Sequence, residues 1–141
     1  IREFLAAADL LKLSREEALW LLNTDDAAAI CQQFPHAQAV LLTDGSSGST
    51  CATKHHSVSL PAFAVDSIDT TGAGDAFLAG VIHQLCQRGW DCLQQPATIE
   101  EVLRYASAVG ALTTLKPGAI AAQPTPQEVD AFLHLHAIAS R

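Results

Sequence analysis

The chain predicts an α/β fold in which helices cover a sheet, and three observations carry that expectation. Short apolar runs at 10–13 and 38–43 alternate with segments of helical periodicity. Ser/Thr-x-x-Glu capping boxes mark three helix openings. Apolar residues make up 49% of the 141 positions against 16% charged, enough for one core and too rich for a disordered chain. No apolar run approaches the roughly 18–20 residues that a membrane-spanning helix needs, so a membrane is not an expected partner. The net charge of −7 argues against nucleic acid as a partner.

The elements follow in order. Ile1 to Ala8 has a helical pattern, and Leu10 to Leu13 is a buried strand. In Ser14-Arg15-Glu16-Glu17 the serine and the second glutamate can exchange hydrogen bonds with each other's backbone, so a helix starts there and reaches about Leu22. A second helix is expected from Asp25 to Phe34, stopped by Pro35. Gln38 to Thr43 is a strand that ends in the turn Asp44–Gly48. Ser49 to Lys54 and Ser57 to Leu60 can pair as an antiparallel hairpin.

A glycine-rich loop then opens a helix from about Gly72 to Gln87. That helix is expected to be largely buried, because Ala73, Ala76, Phe77, Val81 and Leu85 form one face and Leu78 and Ile82 widen it. Gly89 ends it, and Gln94 to Thr98 is a loop. Thr98-Ile99-Glu100-Glu101 predicts a helix to about Leu115, broken by Lys116-Pro117-Gly118. Thr125-Pro126-Gln127-Glu128 supplies a cap, a proline at the first helical position and the reciprocal glutamate. The last helix carries Val129, Phe132 and Leu133 on one face.

Asp69-Thr70-Thr71-Gly72-Ala73-Gly74-Asp75-Ala76-Phe77-Leu78 is the string with the most chemistry in it. Small residues let the backbone approach a ligand, and N–H groups at a helix start attract anions. Asp75 in the first turn is awkward beside an anion unless it has chemical work, such as taking a proton from an attacking hydroxyl. The combination suggests phosphoryl transfer to an alcohol. A dinucleotide loop needs a third glycine where Phe77 stands, and a P-loop needs a Gly-Lys-Ser/Thr that does not follow. What remains is an anion hole built from the Gly72, Ala73 and Gly74 amides. A tight strand-to-helix connection, with Asp75 favouring the helix dipole, is the plainer account of the same residues.

Asp69-Thr70-Thr71-Gly72-Ala73-Gly74-Asp75 with Ala76-Phe77 resembles the second signature of the PfkB (ribokinase-like) carbohydrate kinases. The similarity extends along the chain, which looks like the C-terminal part of their three-layer α/β/α fold, with fructokinase-like members the nearest in character. The resemblance implies that Asp75 is the general base toward a sugar hydroxyl attacking ATP, and that the Gly72–Gly74 amides stabilise the transferred phosphoryl group. Losing one such donor typically costs about 3–4 kcal/mol.

It further implies that Thr43-Asp44-Gly45-Ser46-Ser47-Gly48 is a T-x-G-x-x-G nucleotide loop, with Thr43, Gly45 and Gly48 as its marks. On its own the string is also an ordinary hairpin turn. Ser14-x-x-Glu17 stands where family members often carry N-x-x-E, so Glu17 would sit in the Mg²⁺ shell through water; the same residues equally make a helix cap. Lys116 to Ala119 resembles the region beside adenine and a monovalent-cation site, which places Lys116 and Gly118 near the nucleotide. The same lysine before Pro-Gly is equally a helix terminator. Asp69 and Thr71 would neighbour the cation, K⁺ being one candidate.

The remaining candidates read as inert. His55-His56 is a solvated turn, His83 a rim residue, and His134 and His136 cannot face one metal from positions two apart on a helix. Trp20 and Trp90 are expected to be packing residues, and Asp25-Asp26 to favour a helix N-terminus. Cys31, Cys51, Cys86 and Cys92 lack metal or redox spacing and are read as reduced thiols of a cytoplasmic protein.

A chain that opens at Ile1 and contains no methionine is expected to be the C-terminal, nucleotide-binding and catalytic portion (1–141) of a longer kinase, lacking its N-terminal substrate and lid portion. The expected function is ATP-dependent phosphorylation of a sugar hydroxyl, fructose first. Kinases for ribose, a nucleoside or riboside or another small alcohol, and a non-catalytic nucleotide-binding module, are the alternatives. The fragment alone is expected to be inactive, and association with copies of itself would follow from uncovered apolar faces.

Overall fold

The computed structural model describes residues 2–139, with side chains over 3–137. Helix α1 (Arg2–Ala7) precedes strand β1 (Leu10–Ser14), helices α2 (Arg15–Leu22) and α3 (Ala27–Gln33), and strand β2 (Ala39–Thr43). A 3₁₀ turn (Gly45–Ser47) leads to β3 (Ser49–Ala52) and β4 (Ser57–Leu60). Helix α4 (Ala73–Arg88), a 3₁₀ segment (Trp90–Gln94), α5 (Pro96–Thr113) and α6 (Pro126–Ala139) complete the order.

The four strands run β1-β2-β3-β4 across one sheet. β1 and β2 are parallel, joined through α2 and α3, with Leu11 opposite Val40 and Ser14 opposite Thr43. The other two pairings are antiparallel, so the expected hairpin is present. Both sheet faces are buried, as a layered α/β architecture demands. Leu11, Leu13, Val40 and Leu42 pack with Ile30, Cys31 and Phe34 on one side. Ala39, Leu41 and Cys51 pack on the other with Phe77, Val81, Ile99, Val102 and Leu103. The result is a three-layer α/β/α stack, with α2 and α3 below the sheet and α4 and α5 above it.

The capping logic holds at two of its three positions. At Ser14 the backbone N–H donates to Glu17 Oε2 at 2.7 Å while the Glu17 N–H donates to the serine hydroxyl at 3.1 Å. Thr125 and Glu128 repeat the exchange at α6. The Thr98 box is a correction: α5 begins earlier, with Pro96 at its first position, and the Thr98 hydroxyl donates to the carbonyls of Gln95 and Cys92. Most of the expected 94–98 loop is therefore taken up by the preceding 3₁₀ segment and the start of α5.

Other boundaries move by a residue or more. Asp26, not Asp25, caps α3, accepting from the Ala28 and Ala29 amides. β3 stops at Ala52 because Thr53 closes a turn with His56, its N–H donating to the His56 carbonyl at 2.8 Å. Of the expected 1–8 helix, Ile1 lies outside the described residues. Three packing expectations fail: Trp20 is 80% exposed, Trp90 is 38% exposed, and Ile82 leaves the buried face of α4 at 47% exposure. Cys31, Cys51 and Cys92 are buried, Cys86 is exposed, and all four are free thiols.

Candidate active site

The carboxyl ends of the parallel strands gather the motifs. Ser14 ends β1 and caps α2, and Thr43 lies beside it across the ladder. The crevice beyond such strand ends is where open α/β sheets hold ligands. Arg15 ties the two motifs together, its Nε donating to Asp25 at 2.8 Å and its Nη1 reaching Asp44 at 3.4 Å. Both partners hold the guanidinium in its charged form, Asp25 foremost.

The 43–48 loop is a tight hairpin turn. The Asp44 N–H donates to the Gly48 carbonyl at 2.9 Å, and the Ser47 N–H to the Asp44 carbonyl at 2.8 Å. Gly48 has φ +113°, and a β-carbon there would lie 2.1 Å from the Leu60 carbonyl oxygen, so only glycine passes. An open groove of about 430 Å³ borders this turn, lined by Arg15, Asp44, Ser47, Thr50 and Ser59 among others. The sheet thus presents an exposed polar edge around Thr43 and Gly45.

The 69–75 loop is pinned from three directions. The Ile68 and Asp69 amides donate to the Thr114 carbonyl at the end of α5. Asp69 accepts from the Thr71 amide at 2.9 Å and the Gly118 amide at 3.0 Å. These contacts, the Thr71 side chain foremost, hold its carboxyl down at about 2. Gly72 turns the chain into α4 at φ +77°, and a β-carbon there would lie 2.7 Å from the Ala119 methyl. The 116–119 loop is therefore packed directly against the signature loop.

Of the three amides expected to form an anion hole, Ala73's is engaged, donating to the Thr70 carbonyl at 3.2 Å. Among the described residues the Gly72 and Gly74 amides carry no such bond, which a helix start allows because its first amides have no partner within the helix. Asp75 is exposed in that same turn. Lys116 leans the other way, toward Glu128 at 3.8 Å, so the loop meets the site through its backbone at Gly118. Glu17 is exposed, with one carboxylate oxygen on the Ser14 amide, and that bond lowers its pKa. The arrangement combines two free amides, a helix N-terminus and an exposed carboxylate, which suits an anionic ligand attacked by a neighbouring hydroxyl.

Two residues at this edge escaped the sequence reading as site members. Arg15 lay inside a motif read for its helix cap and for Glu17, with no role given to the arginine between them. Lys12 lay inside an apolar strand, and the interruption of Leu10-Leu11-Lys12-Leu13 by a charge was the available signal. Among the described residues no cluster of three or more His, Cys, Asp or Glu side chains could hold a metal unaided, and no helix is long and apolar enough to cross a membrane.

Residues 1–126 match the family described as pfkB family carbohydrate kinase. Fructokinase-2 of Solanum lycopersicum is 35% identical over 131 residues, covering 91% of this chain and 40% of that protein. A fructokinase from Xylella fastidiosa, solved with bound ATP, superposes with a TM-score of 0.87 at 35% identity over 94% of this chain and 44% of its own. A double-mutant fructokinase from Vibrio cholerae, solved with fructose, ADP and a potassium ion, gives 0.81 at 32% identity, covering 94% of this chain and 43% of its own. The chain spans less than half the length of each of these three proteins.

Proposed function

This chain belongs to the pfkB family of carbohydrate kinases, and we propose that it forms the nucleotide-binding and catalytic portion of an ATP-dependent sugar kinase, with fructose as the favoured acceptor. The observation that carries the reading is Asp75 exposed in the first turn of α4, directly after the Gly72 turn and beside two unengaged amides. The sugar hydroxyl oxygen forms a bond to the γ-phosphorus of ATP, the bond to the β–γ bridging oxygen breaks, and ADP leaves. Asp75 takes the hydroxyl proton. The Gly72 and Gly74 amides stabilise the oxygens of the phosphoryl group in transit.

Thr43, Gly45 and Gly48 line the nucleotide phosphates, and the 116–119 loop borders the base through Gly118, with Lys116 at its outer edge. The donor set at Glu17 fits Mg²⁺: a single exposed carboxylate with no protein cage suits an ion held mainly by phosphates and water. Bound there, Mg²⁺ would neutralise phosphate charge. The Asp69 and Thr71 oxygens fit the border of a monovalent cation, and K⁺ in the Vibrio cholerae enzyme supports that choice. The protein's compartment is the cytoplasm, in keeping with its free thiols.

The sugar contacts and lid belong to the remainder of such a kinase. The 141-residue chain by itself is therefore expected to bind nucleotide weakly and to show negligible turnover, and its exposed apolar side chains, Phe4 and Trp20 among them, favour self-association. The test is ADP release by the whole protein across fructose, ribose, a riboside and a nucleoside. Fructose-stimulated release supports the reading. A preference for another acceptor reassigns the substrate, and ATP binding without any turnover identifies a binding module.

A further inference from the structure

Lys12 stands in the middle of β1, on the face that turns toward α4. Its strand neighbours Leu11 and Leu13 point into the opposite cluster, whereas Leu10 packs against the cluster that includes Phe77 and Val81 of α4. One step beyond Leu10 toward the carboxyl end of the strand, the lysine stem runs over the same layer and delivers its ammonium to the signature loop. Nζ lies 2.9 Å from the point where a side chain on Gly74 would begin, and Cε lies 3.7 Å from it. Gly74 is thus the gap through which this half-buried lysine reaches the first turn of α4.

That position is electrostatically costly without an anion. The N-terminus of a helix carries a positive field, which repels a cation and attracts a phosphate. Among the described residues, no ion pair joins Lys12 to a carboxylate. Glu17 is near enough to feel the charge, but its own hydrogen bonds go to Ser14. Half-buried at the positive end of a helix and, among the described residues, without an ion pair, the lysine draws on the Coulombic attraction of Glu17 but makes no direct contact with a carboxylate. Its charge is balanced when an anion sits between the ammonium and the free Gly72 and Gly74 amides.

We infer that Lys12 is a catalytic residue of the phosphoryl transfer, its ammonium contacting the oxygens of the transferred group beside the first turn of α4. This rests on the kinase reading given above. The bonds made and broken are those already described; Lys12 keeps its proton and contributes charge, which grows in value as the phosphoryl group moves.

The test uses the whole protein with Lys12→Met, which keeps the stem and removes the charge, and Lys12→Arg, which restores it. Lys12→Met is expected to lower kcat by about 10²–10³-fold, the range for one lost charge-stabilising donor, with the sugar KM unchanged. Lys12→Arg should recover part of the loss. A folded Lys12→Met protein with kcat within a few-fold of wild type overturns the inference, and so does a loss confined to the sugar KM.

A second measurement needs no variant. Reductive methylation of the wild-type protein should label Lys12, and ADP with tetrafluoroaluminate should protect it, while sugar alone should not and Lys54 should label throughout. Unchanged labelling of Lys12 in the presence of that nucleotide mimic also overturns the inference. Absence of kinase activity in the wild-type protein would be a failure of the functional reading instead, so the two outcomes are distinct.

Discussion

Asp69 accepts a hydrogen bond from the backbone amide of Gly118 at 3.0 Å, across 49 residues of sequence. One carboxylate therefore fixes the spacing between the signature loop and the loop that follows α5. Its ordinary value of 3.8 is lowered to about 2 in the fold, chiefly by the Thr71 side chain and then by the Gly118 and Thr71 amides. A depressed carboxyl binds fewer protons folded than unfolded, so its stabilisation is complete above 3.8 and is lost as pH falls through about 2. Asp69→Asn should flatten the acid limb of the stability profile in that window and leave the profile near neutrality with its original slope. Chemical denaturation at a series of pH values measures both, and an unaltered acid limb would contradict the assignment.

Gly48 makes a second prediction possible. Alanine there must adopt φ +113° and meet the Leu60 carbonyl, so the hairpin turn has to shift. Backbone strain of this kind costs roughly 1–3 kcal/mol. Gly48→Ala should lower the denaturation midpoint by a corresponding amount and weaken ATP binding in the whole protein. Gly45→Ala meets no neighbouring atom, so a smaller stability loss is expected there.

The two readings of Ser14 and Glu17 can be separated. Ser14→Ala removes the hydroxyl that caps α2 and should cost about 1 kcal/mol of stability. Glu17→Gln keeps an oxygen for the Ser14 amide, so the cap survives while the charge is lost. If Glu17 serves Mg²⁺, that variant should keep its denaturation midpoint yet require several-fold more Mg²⁺ for half-maximal turnover. An unchanged Mg²⁺ requirement would leave Glu17 with its cap alone.

The alternation of strands and helices and the place of the glycine-rich turn were legible because both depend on local patterns. Alternating apolar runs located β1 and β2, reciprocal Ser/Thr–Glu pairs located α2 and α6, and the Asp69–Asp75 string located the turn into α4. What escaped depended on contacts between distant segments. Thr98 has a capping-box spacing, but Pro96 starts α5 first and the hydroxyl is drawn to the Cys92 and Gln95 carbonyls. Trp20 looks like a core residue by type, and only the packing of α2 shows that it faces outward. Lys12 and Gly74 lie 62 positions apart, and their approach follows from the sheet carrying β1 beneath α4. The Ala73 amide, counted from sequence as free, is claimed by a turn bond to Thr70.

The central claim is that Asp75 is the base of a sugar kinase, and steady-state kinetics of the whole protein with Asp75→Asn tests it most directly. The variant keeps the size of the side chain and its place in the first turn of α4, but cannot take up the hydroxyl proton. The account predicts a fall in kcat of about 10²–10⁴-fold, the usual worth of a general base, with ATP affinity largely retained. Fructose phosphorylation at near wild-type kcat by a folded Asp75→Asn protein would contradict it.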